Sequence, residues 1–318
     1  MFRRRGRRTR DMMKQGGNNR VLETIFLITM VSLGWGLSFL ALALLMEELA
    51  PMQVLAARWT ITALIFLVLV LLGRIRINLR SRNVLFLFLA GLSEPCAYSI
   101  LEAYGIKMTS ASVSAIFVAT VPSMTLILGV LFFHHRADKK LVAGLVLAFL
   151  GVAIATVFSP TFSMSGTRTG MVLMTLAVVA ASMYSLSSAR ASEDFDATAV
   201  TAMMAFEGAF LFDIICLAQG YGLGTFLLPF SSWKLFGGFL FLSVGCAFAS
   251  YVCYNRLLSY IEAALATNVV GRLSTVIGVV AGVLVTGDVW GWYTVVGLAV
   301  TLAGVWLSGM RMKDDLGA

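Results

Sequence analysis

The chain is poor in charge and nearly devoid of histidine. Of its 318 residues only 13% are Asp, Glu, Lys or Arg, and only His134 and His135 are histidine. A soluble domain carries about 25% charged residues. A chain with about half that density cannot cover a globular surface with solvated side chains, which argues against a soluble enzyme and against a nucleic-acid binder. The two histidines are adjacent in a short hydrophilic break. No H-E-x-x-H or G-x-S-x-G motif occurs, and no cysteine stands with a histidine at one depth, so no residue is assigned a catalytic role and the chain is not read as an enzyme. The phosphate-binding loop G-x-x-x-x-G-K-[ST] is also missing, so the chain has no ATPase of its own. Cysteine is scarce: Cys96, Cys216, Cys246 and Cys253 all lie in apolar segments without metal-ligand spacing. They read as small packing residues rather than as a disulfide framework or a metal site, and no cofactor is implied.

What is abundant is apolar sequence, at 59% of the residues with a mean hydropathy of +0.90. One crossing of the hydrocarbon layer takes about 20 apolar residues. The apolar windows predict ten transmembrane helices, at 22–45, 53–72, 84–104, 110–132, 141–158, 169–189, 197–218, 234–255, 263–285 and 291–310. Their length and the lack of short alternating segments exclude barrel strands. Eight basic residues crowd the first twenty positions (Arg3, Arg4, Arg5, Arg7, Arg8, Arg10, Lys14 and Arg20). Beside a transmembrane helix such a segment is an anchor on anionic membrane lipid rather than a nucleic-acid arm. The apolar stretch behind it is of spanning length and does not read as a cleaved signal. With the amino end inside, nineteen of the 24 Lys and Arg fall on the inner side and only Lys107, Arg168 and Lys234 on the outer side. That asymmetry places both termini in the cytoplasm of a plasma (inner) membrane. One inner loop dissents, with Glu193, Asp194 and Asp196, but acidic residues contribute little to the rule.

The chain repeats itself. The run from Gly144 to Gly151 and Val152 matches the run from Gly297 to Gly304 and Val305, with the same seven-residue glycine spacing, and each ends one half of the chain. The expected organisation is a basic tail over 1–21, a five-helix repeat over 22–158, a second over 169–310 and a tail over 311–318. Five crossings are odd, so the two repeats are inverted in the membrane. In carriers of that design the solute site lies near the midplane between the halves.

Several local segments resemble the EamA-type carriers of the drug/metabolite transporter superfamily. Trp35-Gly36-Leu37-Ser38-Phe39 is similar to the family's WG-x-x-F segment, and Pro51 followed by Arg58 resembles the start of its second helix. Gly105-Ile106-Lys107, Ala111 and Pro122 resemble its fourth-helix pattern. Gly151-Val152 and Gly304-Val305 resemble the ends of its fifth and tenth helices, and Gly287-Asp288 its turn after the ninth. The resemblance spans nearly the whole chain after the basic tail. Two positions depart from it: His134-His135 replaces the first-half Gly-Glu turn, and Ser274 or Thr275 stands where the fourth-helix proline would repeat. The resemblance implies a ten-helix permease of the inner membrane, often an exporter of amino acids or other small metabolites.

Ionisable groups inside the apolar windows mark the candidate site, since their placement there costs free energy unless a cavity or partner receives them. Five were singled out: Arg58, Glu94, Glu207, Asp213 and Arg272. Arg272, roughly 13 Å into its helix at 1.5 Å per residue, is the expected anion binder, with Asn268 four residues earlier on the same face. Glu94 precedes Pro95, which removes a backbone donor and frees a carbonyl; a broken helix beside a carboxylate suits a solute or a proton. Trp35 and Tyr98 are expected to line the same space. Glu207, Arg58 and Pro122 are coupling or gating candidates, with Glu207 a second proton carrier or a partner for Arg272. Structural pairing of Arg272 with Glu94 is the competing reading, as is snorkelling of Arg58 or its pairing with Glu47 or Glu48. Asp213 reads as solvated or packing between helices. The expected function is secondary transport of a small solute by alternating access, best matched to an amino acid or a related zwitterion or anion, with protons as a coupling partner. Translocation of a lipid-linked substrate and an intramembrane enzyme are the alternatives. Small-residue helix faces permit a homodimer.

Overall fold

A computed structural model describes residues 2–77, 79–133, 139–158, 166–261, 263–286 and 291–309, with their side chains except at 2–19, 133, 139–141, 145, 156, 166–167, 264, 286 and 308–309. His134, His135, Gly287, Asp288 and the 311–318 tail lie outside the described residues, as do the side chains of the basic tail before Arg20.

The described residues form helices and no strands. In chain order they are α1 (Phe2–Leu45), α2 (Pro51–Leu71), α3 (Val84–Met108), α4 (Ala111–Phe132), α5 (Lys139–Val157), α6 (Gly166–Ala191), α7 (Ala197–Ala218), α8 (Trp233–Leu258), α9 (Ala263–Ala281) and α10 (Trp292–Gly309). Eight of them are long and apolar enough to cross a bilayer. The apolar stretches of α5 and α10, Val142–Ala155 and Trp292–Leu307, are shorter. The large side chains that face outward are apolar, among them Leu64, Leu67, Val68 and Leu71 of α2 and Phe210, Ile214 and Leu217 of α7. Such a surface is unfavourable in water and costs nothing against lipid tails.

Local chemistry sets the helix starts. Pro51 begins α2, where its missing N–H has no partner to lose, and Gln53 reaches back to accept the Ala50 N–H at 3.0 Å. Ser110 and Ser232 cap α4 and α8 by accepting the N–H groups of Val113 and Leu235, each at 3.2 Å.

The packing maps onto itself when each helix is exchanged for the one five places on. Helix α2 packs on its mate α7, α4 on α9 and α5 on α10; α1 packs on α8 and α9 as α6 packs on α3 and α4. The closest of these contacts explains the repeated glycines. Seven-residue spacing puts Gly144 and Gly151 on one face of α5, and Gly297 and Gly304 on one face of α10. The two faces meet antiparallel, Gly151 against Gly297 and Gly304 against Gly144. A Cβ on Gly151 would lie 2.5 Å from the Gly297 carbonyl oxygen, and one on Gly304 2.6 Å from the Gly144 carbonyl oxygen. No side chain fits at either place. Gly304→Leu is therefore expected to lower stability by about 1–3 kcal/mol through overpacking. Gly237→Ala, with nothing within 4 Å of its new Cβ, is expected to change little; thermal melting of the two purified variants tests the contrast.

Polar ties join the helix ends at two faces of the bundle. At one, Arg256 Nε meets Glu23 at 3.2 Å, and Asp194 accepts from Ser81 Oγ at 2.5 Å and the Asn83 N–H at 3.3 Å. At the other, Lys234 Nζ meets Glu47 at 3.1 Å and Glu48 at 2.9 Å. The dissenting acidic loop is accounted for here: Glu193 pairs with Arg190 at 3.0 Å, and Asp194 faces the loop that carries Arg82. The Ser81 hydroxyl, then the Asn83 N–H and Arg82, hold the Asp194 carboxyl below its usual range. A lowered folded-state value adds stability above the unfolded value, about 3.9, and that increment is lost as pH falls through the folded value. Asp194→Asn should therefore melt below the wild type at neutral pH, with the gap closing in acid; an equal gap at both pH values would remove this contact from the account.

Candidate functional site

The third helix of each half opens at mid-length. In α3 the backbone leaves helical geometry at Glu94 (φ −140°, ψ 115°), the Glu94–Pro95 peptide is cis, and wide π-turns run over Leu92–Ala97. In α8 the matching stretch, Phe241–Ser250, is also wide-turned. Neighbouring hydroxyls take up the displaced carbonyls there: Ser250 Oγ donates to the Gly245 carbonyl at 2.9 Å and Thr62 Oγ1 to that of Ser243 at 3.2 Å. Wide turns of this kind occur often at functional sites.

Between the two opened helices lies a cavity of about 650 Å³, mouth included, of which about 60 Å³ can hold the centres of water molecules. A buried water needs only about 10–15 Å³ by that measure, so several waters or part of a small solute fit. The walls come from α1, α2, α3, α4, α6, α8 and α9, and their polar groups include Arg58, Glu94, Glu102, Tyr98 and Ser274. One wall is aromatic. The Trp35 ring lies tilted against Tyr254 at 4.6 Å and Tyr251 at 5.2 Å between centroids, and Tyr184 lies 5.9 Å from each tyrosine ring.

Three ionisable groups, Arg58, Glu94 and Glu102, face this space. Arg58 is 3% exposed. Among the described residues its only hydrogen-bond partner is Cys246 Sγ, a weak acceptor, at 3.7 Å from Nη2, and its Nε–H has none. Its guanidinium also lies 5.2 Å from the Trp59 ring. Glu94 accepts the Tyr251 hydroxyl, in a short bond, and the Ser99 hydroxyl at 3.4 Å, both on Oε1. Glu102 accepts the Tyr98 hydroxyl at 2.7 Å on Oε1. The second oxygen of each carboxylate has no partner among the described residues, and neither carboxylate lies within 4 Å of Arg58 as an ion pair.

Four of the residues named from the sequence meet in the cavity: Trp35, Arg58, Glu94 and Tyr98. Arg58 neither snorkels nor pairs with Glu47 or Glu48, which are taken by Lys234. Arg272 and Asn268 do not line the cavity. Helix α9 turns Thr267, Val270, Gly271 and Ser274 towards it, and at 3.6 residues per turn Asn268 and Arg272 lie more than a quarter turn round. Asn268 instead reaches the Val305 carbonyl of α10 at 3.4 Å. Arg272 is half-buried, its Nε lacks a partner, and no ion pair joins it to Glu94 or Glu207 among the described residues. Glu207 also lies outside, its carboxyl against the bare backbone of Gly91, where a Cβ would come 2.6 Å from its Cδ. Asp213 ties α7 to α2 by accepting the Thr60 hydroxyl on both oxygens, at 2.8 and 2.9 Å. Pro122 backs the α4–α9 contact at Gly271, while Val118 and Val121 reach the cavity.

Glu102, Tyr184, Tyr251 and Tyr254 were not anticipated. Glu102 had a signal: it stands four residues after Tyr98, on the same face of regular helix. The three tyrosines belong to the second half, and no local spacing ties them to Glu94.

Comparison with known proteins agrees with this architecture. The EamA-like transporter family model matches residues 22–157 and again 168–310. An uncharacterized transporter of Bacillus subtilis, YcxC, is 25% identical over 281 residues, covering 87% of this chain and 90% of the relative. An uncharacterized transporter of Archaeoglobus fulgidus is 24% identical over 278 residues, covering 86% and 94%. PagO of Salmonella typhimurium is 28% identical over 122 residues, which is 38% of this chain and 40% of PagO. A crystal structure superposes with a TM-score of 0.62 at 15% identity, covering 91% of this chain and 98% of the other, and so shares the fold. Two matched repeats spanning the helical bundle make the chain a member of the EamA-like transporter family, a multi-pass membrane transporter of small-molecule solutes.

Proposed function

We propose that the chain is a secondary carrier of a small zwitterion, best matched to an amino acid, which binds in the central cavity and is exposed to each side in turn. The observation that carries this reading is Arg58: a buried guanidinium in the cavity wall with one weak partner and an orphaned Nε–H. A buried charge in that state calls for an anion, and the planar fork suits a solute carboxylate. The free oxygen of Glu94, fixed by Tyr251, suits the solute ammonium, and the aromatic wall its apolar body. Arg58 thus takes the role expected of Arg272.

Ten crossings fit the ten apolar helices, and the antiparallel meeting of α5 and α10 fits two halves of opposite orientation. The asymmetry of the basic residues supports an orientation with the Arg256–Glu23 face and both termini on the cytoplasmic side. No feature of the cavity supplies an energy source other than a solute, proton or potential gradient.

Counterflow tests the reading. Purified protein is reconstituted in liposomes preloaded with unlabelled amino acids, and uptake of traces of the matching labelled solutes is followed. Accumulation of one chemical class beyond that in protein-free liposomes is expected. No accumulation of any member by folded protein would sink the amino-acid reading.

A further inference from the structure

The charges in the cavity do not balance. Arg58 supplies one positive charge, and Glu94 and Glu102 supply two negative charges if both are ionised. Among the described residues the surrounding elements do not supply the missing cation. Helix α2 contributes only Arg58. Helix α6 contributes Tyr184, and α8 contributes Cys246, Tyr251 and Tyr254. On α3 itself stand Tyr98 and, behind the break, Cys96; α7 adds another acid, Glu207, against Gly91. The faces of α1, α4 and α9 that reach the cavity carry no titratable group, since Arg272 lies on another side of α9. Removing a second, uncompensated carboxylate from water is costly, and protonation relieves that cost. A metal cation would need several donors converging on one point. Glu94 lies in the opened stretch and Glu102 eight residues on in regular helix, and no group of three metal-binding side chains occurs among the described residues. A proton needs only one oxygen, and each glutamate keeps one oxygen without a partner while a tyrosine hydroxyl holds the other.

We propose that Glu94 and Glu102 together form an exchangeable-proton site: the pair carries one proton while the cavity is empty and gives it up to a monovalent organic ammonium. The proposal rests on the carrier reading for its use in transport, but the proton count does not require a solute. In the empty state Arg58 is balanced by one carboxylate, and the other glutamate is a carboxylic acid. A zwitterion adds no net charge, so the proton stays, on Glu102, when the solute carboxylate takes Arg58 and its ammonium takes Glu94. An ammonium without a carboxylate adds one positive charge. The carboxylic acid O–H then breaks, its proton passes to water in the cavity mouth, and the two carboxylates balance Arg58 and the ammonium. Such a cation therefore leaves the membrane on one side in exchange for a proton from the other.

Infrared difference spectroscopy of the purified protein at neutral pH reads the carboxylic-acid carbonyl band directly. The wild type should contain a band that both Glu94→Gln and Glu102→Gln remove, because either carboxylate left alone ionises opposite Arg58. A glutamate protonated merely because it is buried would vanish only in its own variant, and that result would overturn the joint site. So would equal spectra for all three proteins. Arg58→Gln should enlarge the band, since both glutamates then stay protonated. Should a Gln variant fail to fold, Glu102→Asp should shift the frequency of the band or hand the proton to Glu94, and an unaltered band would exclude Glu102. Adding isopentylammonium chloride at matched pH to the wild type should bleach the same band and release protons to an unbuffered medium, whereas a band that survives high ammonium concentration overturns the exchange. Failure of amino-acid counterflow would instead remove the zwitterion reading and leave the proton count standing.

Discussion

Arg58→Gln is expected to abolish amino-acid counterflow while leaving the protein folded. A hydrogen bond to a charged group contributes about 1.5–3 kcal/mol, which corresponds to roughly 10–150-fold in affinity at 1.4 kcal/mol per decade. Loss of a two-pronged contact to the solute carboxylate belongs at the upper end of that range. The folded state has little to lose by the change. The guanidinium is 3% exposed, and its partner Cys246 Sγ stands at 3.7 Å, so its burial is poorly compensated. The melting temperature should hold or rise. Arg58→Lys keeps the charge and loses the planar fork, and should recover counterflow only in part. Counterflow of Arg58→Gln within about twofold of the wild type would remove Arg58 from the solute site. A variant that neither transports nor folds would make Arg58 structural.

The helices were legible because run length and charge breaks are read along one dimension. The predicted 197–218 coincides with α7 (Ala197–Ala218), and the predicted 84–104 falls short of α3 (Val84–Met108) by one turn. The break at Glu94 was legible because Pro95 announces it. The matching wide turns of α8 carry no proline, and one of the two hydroxyls they rest on, that of Thr62, comes from α2, so the sequence announces no break there. Arg272 shows what depth alone omits. Distance along a helix fixes how far a side chain lies from the interface but not which way it points, and on α9 the azimuth is set by which neighbours pack. Snorkelling was one expectation for Arg58, yet its helix turns it inward into the cavity wall shared with α3 and α8. Glu102 was within reach of the sequence, one four-residue step from Tyr98. The aromatic wall required the two halves to be brought together first.

Asn255→Leu is expected to damage both stability and transport, because Asn255 is the hub beneath that wall. It is fully buried on α8. Its Oδ1 accepts the hydroxyls of Tyr184 at 2.7 Å and Ser188 at 2.6 Å, both on α6. Its Nδ2 donates to Thr201 Oγ1 at 2.9 Å and Met204 Sδ at 3.6 Å, both on α7. One side chain thus joins three helices one turn from Tyr251, on the side of the cavity that leads to the Arg256–Glu23 tie. Interhelical hydrogen bonds between membrane helices are worth about 0.6 kcal/mol on average and up to about 1.7. Losing three good ones should lower stability by about 2–4 kcal/mol, and Tyr184, no longer held, should loosen the ring cluster that frames the solute. Asn255→Asp keeps the acceptor for Tyr184 and Ser188 and loses the donor to Thr201, so it should fall between Leu and the wild type in melting temperature. In the proposed orientation the same contacts lie between the cavity and the cytoplasmic face, and the alternating-access reading requires α6 and α8 to part there for a solute to leave. A weakened hub should therefore favour the state open to that face. Cys246, on the same helix and buried in the cavity wall, would report this as faster labelling by a water-soluble maleimide, set against Cys246→Ser as the blank. Asn255→Leu that melts like the wild type, with unchanged labelling, would show the hub to be neither brace nor gate.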